Sequence, residues 1–192
     1  MASTLRFDNW EDSNGTPILD GSNLAIPSSA MPAGSILQVV STTKTDIFTA
    51  NVAANGFAAV TGLTATITPS STSSKILVVT VVNSSQDAHH GTAVTRLTRN
   101  GTPVGIGDAA GNRTRATSAQ SGGIVGNDAG IASASSNFLD SPATTSALEY
   151  GVEVFNHAGS TEAVNVNKAE DDADVSSRVR PVSTITLMEV AG

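Results

Sequence analysis

Residues 63–69, LTATITP, set apolar Leu63, Ala65 and Ile67 against Thr64, Thr66 and Thr68, the period of two that belongs to a half-buried β-strand. The turn PSSTSS follows, its Pro and Ser favouring turn backbone geometry. The next segment, KILVVTVV, loses the alternation, because Ile76, Leu77, Val78, Val79, Val81 and Val82 load both faces. Its β-branched richness and short length favour a strand over a buried helix. A strand apolar on both faces needs cover on both. A second sheet is expected on one side and another subunit on the other.

The same periodicity runs through the rest of the chain. In EYGVEVFN, Tyr150, Val152 and Val154 alternate with Glu149, Gly151 and Glu153. TAVTRLTRNGTPVGIG places Asn100-Gly101 between two strand-like segments, a pair that favours the type I′ hairpin turn. SILQVVS, FAAVTG, SASSNFLD, TEAVNVNK and the closing STITLMEV add further strands, while the Gly- and Ala-rich stretch 107–130 reads as a long loop. Roughly nine or ten short strands with turn signals at this spacing predict an all-β, jelly-roll-like sandwich over residues 34–192. No internal repeat favours a propeller or a solenoid.

Residues 1–33 differ. They carry neither helical nor strand periodicity and are punctuated by NG, DG and prolines, the composition of an extended arm. Yet Leu5, Phe7, Trp10, Ile18 and Leu19 crowd into it, in a chain with only five Phe, one Trp and one Tyr. Exposed Phe and Trp do nothing for a free tail, since each can bury ~150–250 Å². The arm therefore folds back on its own domain or docks on a partner, and those five residues are the candidate docking set.

Composition removes several classes of function. With no cysteine, the chain has no disulfide, zinc-thiolate or thiol chemistry. Acids outnumber bases 17 to 10, for a formal charge of −7, so there is no electrostatic footprint for nucleic acid or anionic lipid. The opening MASTLRFDNWEDSNG has no apolar signal region, and no run approaches the ~20 apolar residues of a membrane span. A soluble protein made in a cytoplasm is expected, with no membrane insertion.

Candidate chemistry is thin. GIGDAAG, residues 105–111, lacks dinucleotide-loop spacing and a following helix. His89-His90 are adjacent, and on a strand they would face opposite ways. Glu170, Asp171, Asp172 and Asp174 are the best calcium candidate, but they lack the spacing of a calcium loop and read as a solvated acidic loop paired with Arg178 and Arg180. Glu149 and Glu153 are the only carboxylate pair offered for glycoside hydrolysis, and no G-x-S-x-G elbow is present. Neither catalytic residue, metal nor cofactor is expected. Arg113 and Arg115 share a face if extended, and offer contacts to a neighbouring chain or an anionic surface glycan; intrachain ion pairs are the alternative.

ILQVVSTTKTD, GLTATITPSSTSSKILVVTVV, RLTRNGTPVGIGDAAGNRTRAT, NFLDSPATTSALEYGVEVFN and STITLMEV lie in that order along residues 35–190. There the chain resembles small structural, tail-fibre-like virion proteins of marine tailed bacteriophages, those of cyanobacteria and other ocean bacteria. The arm matches more loosely, through ASTLRFDN. The resemblance implies a trimeric β-sandwich head joined to the particle by its N-terminal segment, and no catalytic residues. The expected role is a short fibre or fibre knob on the tail or neck of the virion. Its partners would be its own copies, another virion protein and a host surface glycan. A capsid decoration or cement protein is the nearest alternative, and a carbohydrate-binding module or depolymerase the alternative from another class.

Overall fold

The computed structural model describes residues 10–11, 15, 17–20, 23–24, 31–87, 92–121 and 130–192. Three short strands fall in the arm: β1 (Trp10–Glu11), β2 (Pro17–Asp20) and β3 (Asn23–Leu24). They pair with one another in the order β1-β2-β3, with Trp10 in register with Leu19. So short a set leaves no periodicity to read, and turns define it instead; Gly15, with φ of 78°, lies between β1 and β2. None of the three adds to the sheets of the body.

The body is made of β4 (Ile36–Lys44), β5 (Phe48–Val52), β6 (Phe57–Ile67), β7 (Lys75–Gln86), β8 (Thr92–Arg99), β9 (Thr102–Val104), β10 (Ser118–Ser121), β11 (Ala132–Asp140), β12 (Leu148–Phe155), β13 (Glu162–Val166) and β14 (Ser183–Val190). No helix occurs among the described residues, so none is long and apolar enough to cross a membrane.

In the first sheet β14 is flanked by β4 and β7, and β11 pairs with β7 along its whole length. Past the start of β14, the far end of β7 pairs instead with β13, which carries β5. The second sheet runs β10-β8-β12-β6, with β9 folded onto β8. Setting aside the accessory β5, β9 and β13, eight strands remain. Numbered by their rank along the chain, they run 1-8-3-6 in one sheet and 2-7-4-5 in the other. Every connection but one crosses between sheets, the double Greek key of a jelly roll. The fold expected from the turn spacing is therefore the fold observed.

The core lies between the sheets. Ile76, Val78 and Val82 of β7 with Ile185 and Leu187 of β14 face Leu63, Ile67, Tyr150, Val152 and Leu97, all buried. The alternations predicted in LTATITP and EYGVEVFN hold, with Leu63, Ala65, Ile67, Tyr150, Val152 and Val154 all inside. Asn100 and Gly101 both have positive φ, 49° and 75°, as a type I′ turn requires. FAAVTG and LTATITP differ from expectation. They form one continuous strand, β6, that passes through Gly62 at φ 81°. There an irregularity in the pairing with β12 resets the register.

Buried polar groups pin the two ends of the sandwich. At one end Asn156 Nδ2 donates to the carbonyls of Val52 and Ser160, and its Oδ1 accepts from Gln86 Nε2 at 2.7 Å. Asn167 Nδ2 donates to the carbonyls of Lys44 and Asp46, and its Oδ1 accepts from Ser183. At the other end Glu189, only 1% exposed, accepts from Gln38 Nε2 and from the backbone N and Oγ of Ser70. Burial pushes its carboxyl up, but the Gln38 and Ser70 donors, with Ser74 beside them, outweigh that and hold it below the ordinary glutamate value.

Candidate functional site

Because side chains alternate along a strand, the residues of the first sheet that do not enter the core form its outer face. Cross-strand register lines them up. Val39 of β4 pairs with Met188 of β14, Met188 with Leu77 of β7, and Leu77 with Leu139 of β11. The result is one apolar row across four strands. Val79 and Val81 continue it along β7, and Ile36 beside Val190 extends it at the other end. These side chains are not hidden: Val39 is 56% exposed, Leu139 48% and Val81 37%. A shallow groove follows Leu77, Val79 and Val81 against Ser135 and Asn137. The remaining outward positions are Ser41, Thr43, Thr184, Thr186, Ser133 and Ser135, with Asn83 and Asn137. Lys75, at the end of β7, is the one charged side chain on this face, and none is acidic. The second face of KILVVTVV is thus apolar, as the sequence implies, and none of the described residues covers it.

The outer face of the second sheet is of another kind. Thr64, Thr66, Thr98, Glu149 and Glu153 line it. Arg96 pairs with Glu153 at 2.5 Å and lies 3.8 Å from the centre of the Phe57 ring. Glu149 and Glu153, four residues apart on one strand, are separated by about 13 Å at ~3.3 Å per residue. That exceeds the ~5–9.5 Å needed for paired-carboxylate glycoside hydrolysis.

A trio of two buried side chains and a half-buried arginine joins the sheets. Asp140 Oδ2 of β11 accepts from Tyr150 Oη at 2.7 Å and from Arg99 Nη1 at 2.6 Å. Burial and the neighbouring carboxylate push the Tyr150 phenol well above its ordinary value. A fully buried, firmly protonated phenol is a tie between layers, not a nucleophile.

The other sequence-derived candidates fall as follows. Leu5 and Phe7 lie outside the described residues, as do His89 and His90; for Trp10 and Leu19 the backbone pairing alone is described, and for Ile18 its place in β2 alone. Arg113 and Arg115 are exposed, and they donate to the carbonyls of Ala110 and Gly107 within their own loop. The acidic loop is held by Asp171–Arg178 and Asp172–Arg180 pairs, the pairing expected for it. Among the described residues, no three His, Asp or Glu side chains form a group that could hold a metal ion. Gly105, from the dinucleotide-like stretch, has φ of 59° and packs against the Phe138 ring, where an added Cβ would come within 2.8 Å. Its role is a tight turn. Val39, Leu139 and Met188 do not stand out in the sequence, because each reaches the row only through strand pairing.

No family model matches the chain, and no curated protein matches it in sequence. Among solved structures, T=1 particles derived from infectious bursal virus are 17% identical, with 90% of this chain and 40% of that chain covered and a TM-score of 0.39. The infectious bursal disease virus VP2 subviral particle is also 17% identical, with 90% and 41% covered and a TM-score of 0.36. This chain spans about two fifths of the length of either. Scores this low transfer no function.

Proposed function

We propose that the chain is a structural part of a bacteriophage virion, a short fibre or fibre knob on the tail or neck. It associates as a homotrimer through its jelly-roll body, attaches to another virion protein through residues 1–33, and contacts a host surface glycan. It performs no catalysis. The observation that carries this reading is the unequal pair of outer faces: one sheet presents a wet, charged surface and the other an apolar one that no described residue covers. Exposed apolar patches of this kind mark association surfaces. Jelly rolls also serve viral capsid and lectin domains, an analogy of fold that suits a virion part and a glycan contact alike. The ordered resemblance along residues 35–190 to virion proteins of marine phages points to the same setting.

Imaging of particles that carry a labelled form of this chain tests the reading. Label at the tail or neck in tens of copies is expected, whereas a decoration or cement protein would appear over the lattice in hundreds (orders of magnitude set by closed symmetry). Particles without the label would overturn the proposal. Release of reducing ends from host polysaccharide by the purified chain would favour a depolymerase instead.

A further inference from the structure

We infer that the outer face of the β4-β14-β7-β11 sheet is the surface on which a second copy of this chain seats, and that the outer face of the other sheet stays in water. The inference rests on the reading of the chain as a self-associating virion part and names the surface that does it. Three observations select a second copy as the occupant.

The first is charge. Two copies that each carry a formal −7 repel one another except where their meeting surfaces lack like charge, and like-charge juxtaposition at an interface is strongly unfavourable. The first sheet's outer face has no carboxylate and a single lysine at its end, whereas the second sheet's has Glu149 and an Arg96–Glu153 pair, which leave it one negative charge. An acidic copy can approach the first without electrostatic cost and the second only against it.

The second is pattern. The apolar row runs across the strands, and rows of Ser, Thr and Asn lie beside it. Copies gathered about a threefold axis with this sheet turned inward would bury the row near the axis and leave hydroxyls and amides toward the rim.

The third is size. Four strands ~4.8 Å apart and about 30 Å long present a face of roughly 500 Å². One side of a standard protein interface is ~800 Å². The face supplies the greater part of such a side, and its surrounding rim supplies the remainder.

Sedimentation velocity of the full chain tests this, with a double variant on the two edge strands, Val39→Lys with Leu139→Lys. Both positions are about half exposed in the single chain, so the fold is expected to survive, as circular dichroism will report. The matched control is Thr64→Lys with Thr66→Lys, which adds the same charge to the other outer face. The wild-type chain should self-associate. The Val39/Leu139 variant should associate at least about 30-fold more weakly, the loss expected when apolar anchors are replaced by charge. It should do so although its net charge is smaller, and the control should match wild type. Should the lysines unfold the chain, Val39→Ser with Leu139→Ser takes their place, with a smaller shift in the same direction. A folded variant that keeps the wild-type mass overturns the assignment of this face while the virion role stands. Equal weakening by variant and control overturns it too. A wild-type chain that stays monomeric at high concentration removes both this inference and the homotrimer.

Discussion

The molecule presents two outer surfaces built from the same kind of strand and fitted for opposite surroundings. On the second sheet, β12 alternates cleanly, core residues inward and Glu149, Gly151 and Glu153 outward. On the first, β7 places Ile76 and Val78 in the core and Leu77, Val79 and Val81 outside. A sheet that needs cover on one face reads polar on the other; a sheet that needs cover on both does not. The difference teaches that the core between the sheets closes without the first sheet's outer residues. No described residue covers them.

Neighbouring residues on β7 give the sharpest way to break this comparison. Ile76 is fully buried, and Ile76→Ala should lower unfolding free energy by ~2–5 kcal/mol through lost contacts and the cavity left behind. Leu77→Ala, one position along, should cost the isolated chain under ~1.5 kcal/mol, because the outer site is half open. Chemical denaturation of the two variants at low protein concentration decides it. Equal losses would mean that the outer face is already packed within one chain.

Next in size is the tie between the sheets. Asp140→Ala removes the acceptor shared by Tyr150 and Arg99 and strands a buried hydroxyl beside a half-buried guanidinium. A loss of about 2–3 kcal/mol is expected, and Tyr150→Phe should cost about 1 kcal/mol. Both belong to the folding of the single chain, so neither should alter self-association at temperatures where the variant is folded.

These contrasts also separate what the sequence discloses from what it conceals. The inward alternation of Leu63, Ala65 and Ile67, the turn at Asn100-Gly101 and the double loading of KILVVTVV are local patterns, and local patterns are written in neighbouring residues. The apolar row is not. Val39, Leu77, Leu139 and Met188 come from four distant segments, and only the strand order brings them side by side. β5 escapes the periodicity because FTANV is too short and too mixed to stand out. The break read between FAAVTG and LTATITP was Gly62 at a bend within one strand. The buried Glu189 and Lys44, 1% and 5% exposed, run against composition rules, and only their partners explain them: Gln38 and Ser70 for the first, Asp46 for the second.

Acid should separate the end held by Glu189 from the rest of the body. Its carboxyl titrates below the ordinary value in the folded chain. The stabilisation is therefore fully present above the unfolded value of about 4.3 and is lost as pH falls through the lower folded value. Thermal unfolding between pH 6 and 3 should show a falling limb in the wild type. That limb should be shallower in Glu189→Gln, which begins less stable because an amide must replace a carboxylate among donors. An identical slope in the two proteins would mean that this carboxylate does not differ between the folded and unfolded states.

The smallest effect, and the one that sharpens the comparison most, concerns salt. On the wet face Arg96 pairs with Glu153 and covers Phe57, with the side chains 23% and 18% exposed. Arg96→Met keeps much of the stem's packing, removes the charge and should cost no more than ~1 kcal/mol. Raising the ionic strength to about 1 M shortens the screening length to ~3 Å, so the difference between Arg96→Met and wild type should shrink as salt rises. Self-association through the apolar face should respond in the opposite sense. Salt screens the repulsion between two acidic copies and leaves burial of Val39, Leu77 and Leu139 intact, so association should strengthen. Analytical ultracentrifugation and denaturation across the same salt series place both trends on one axis. Association that weakens with salt would mean that charges hold the copies together, and would move the meeting surface to the face that carries them.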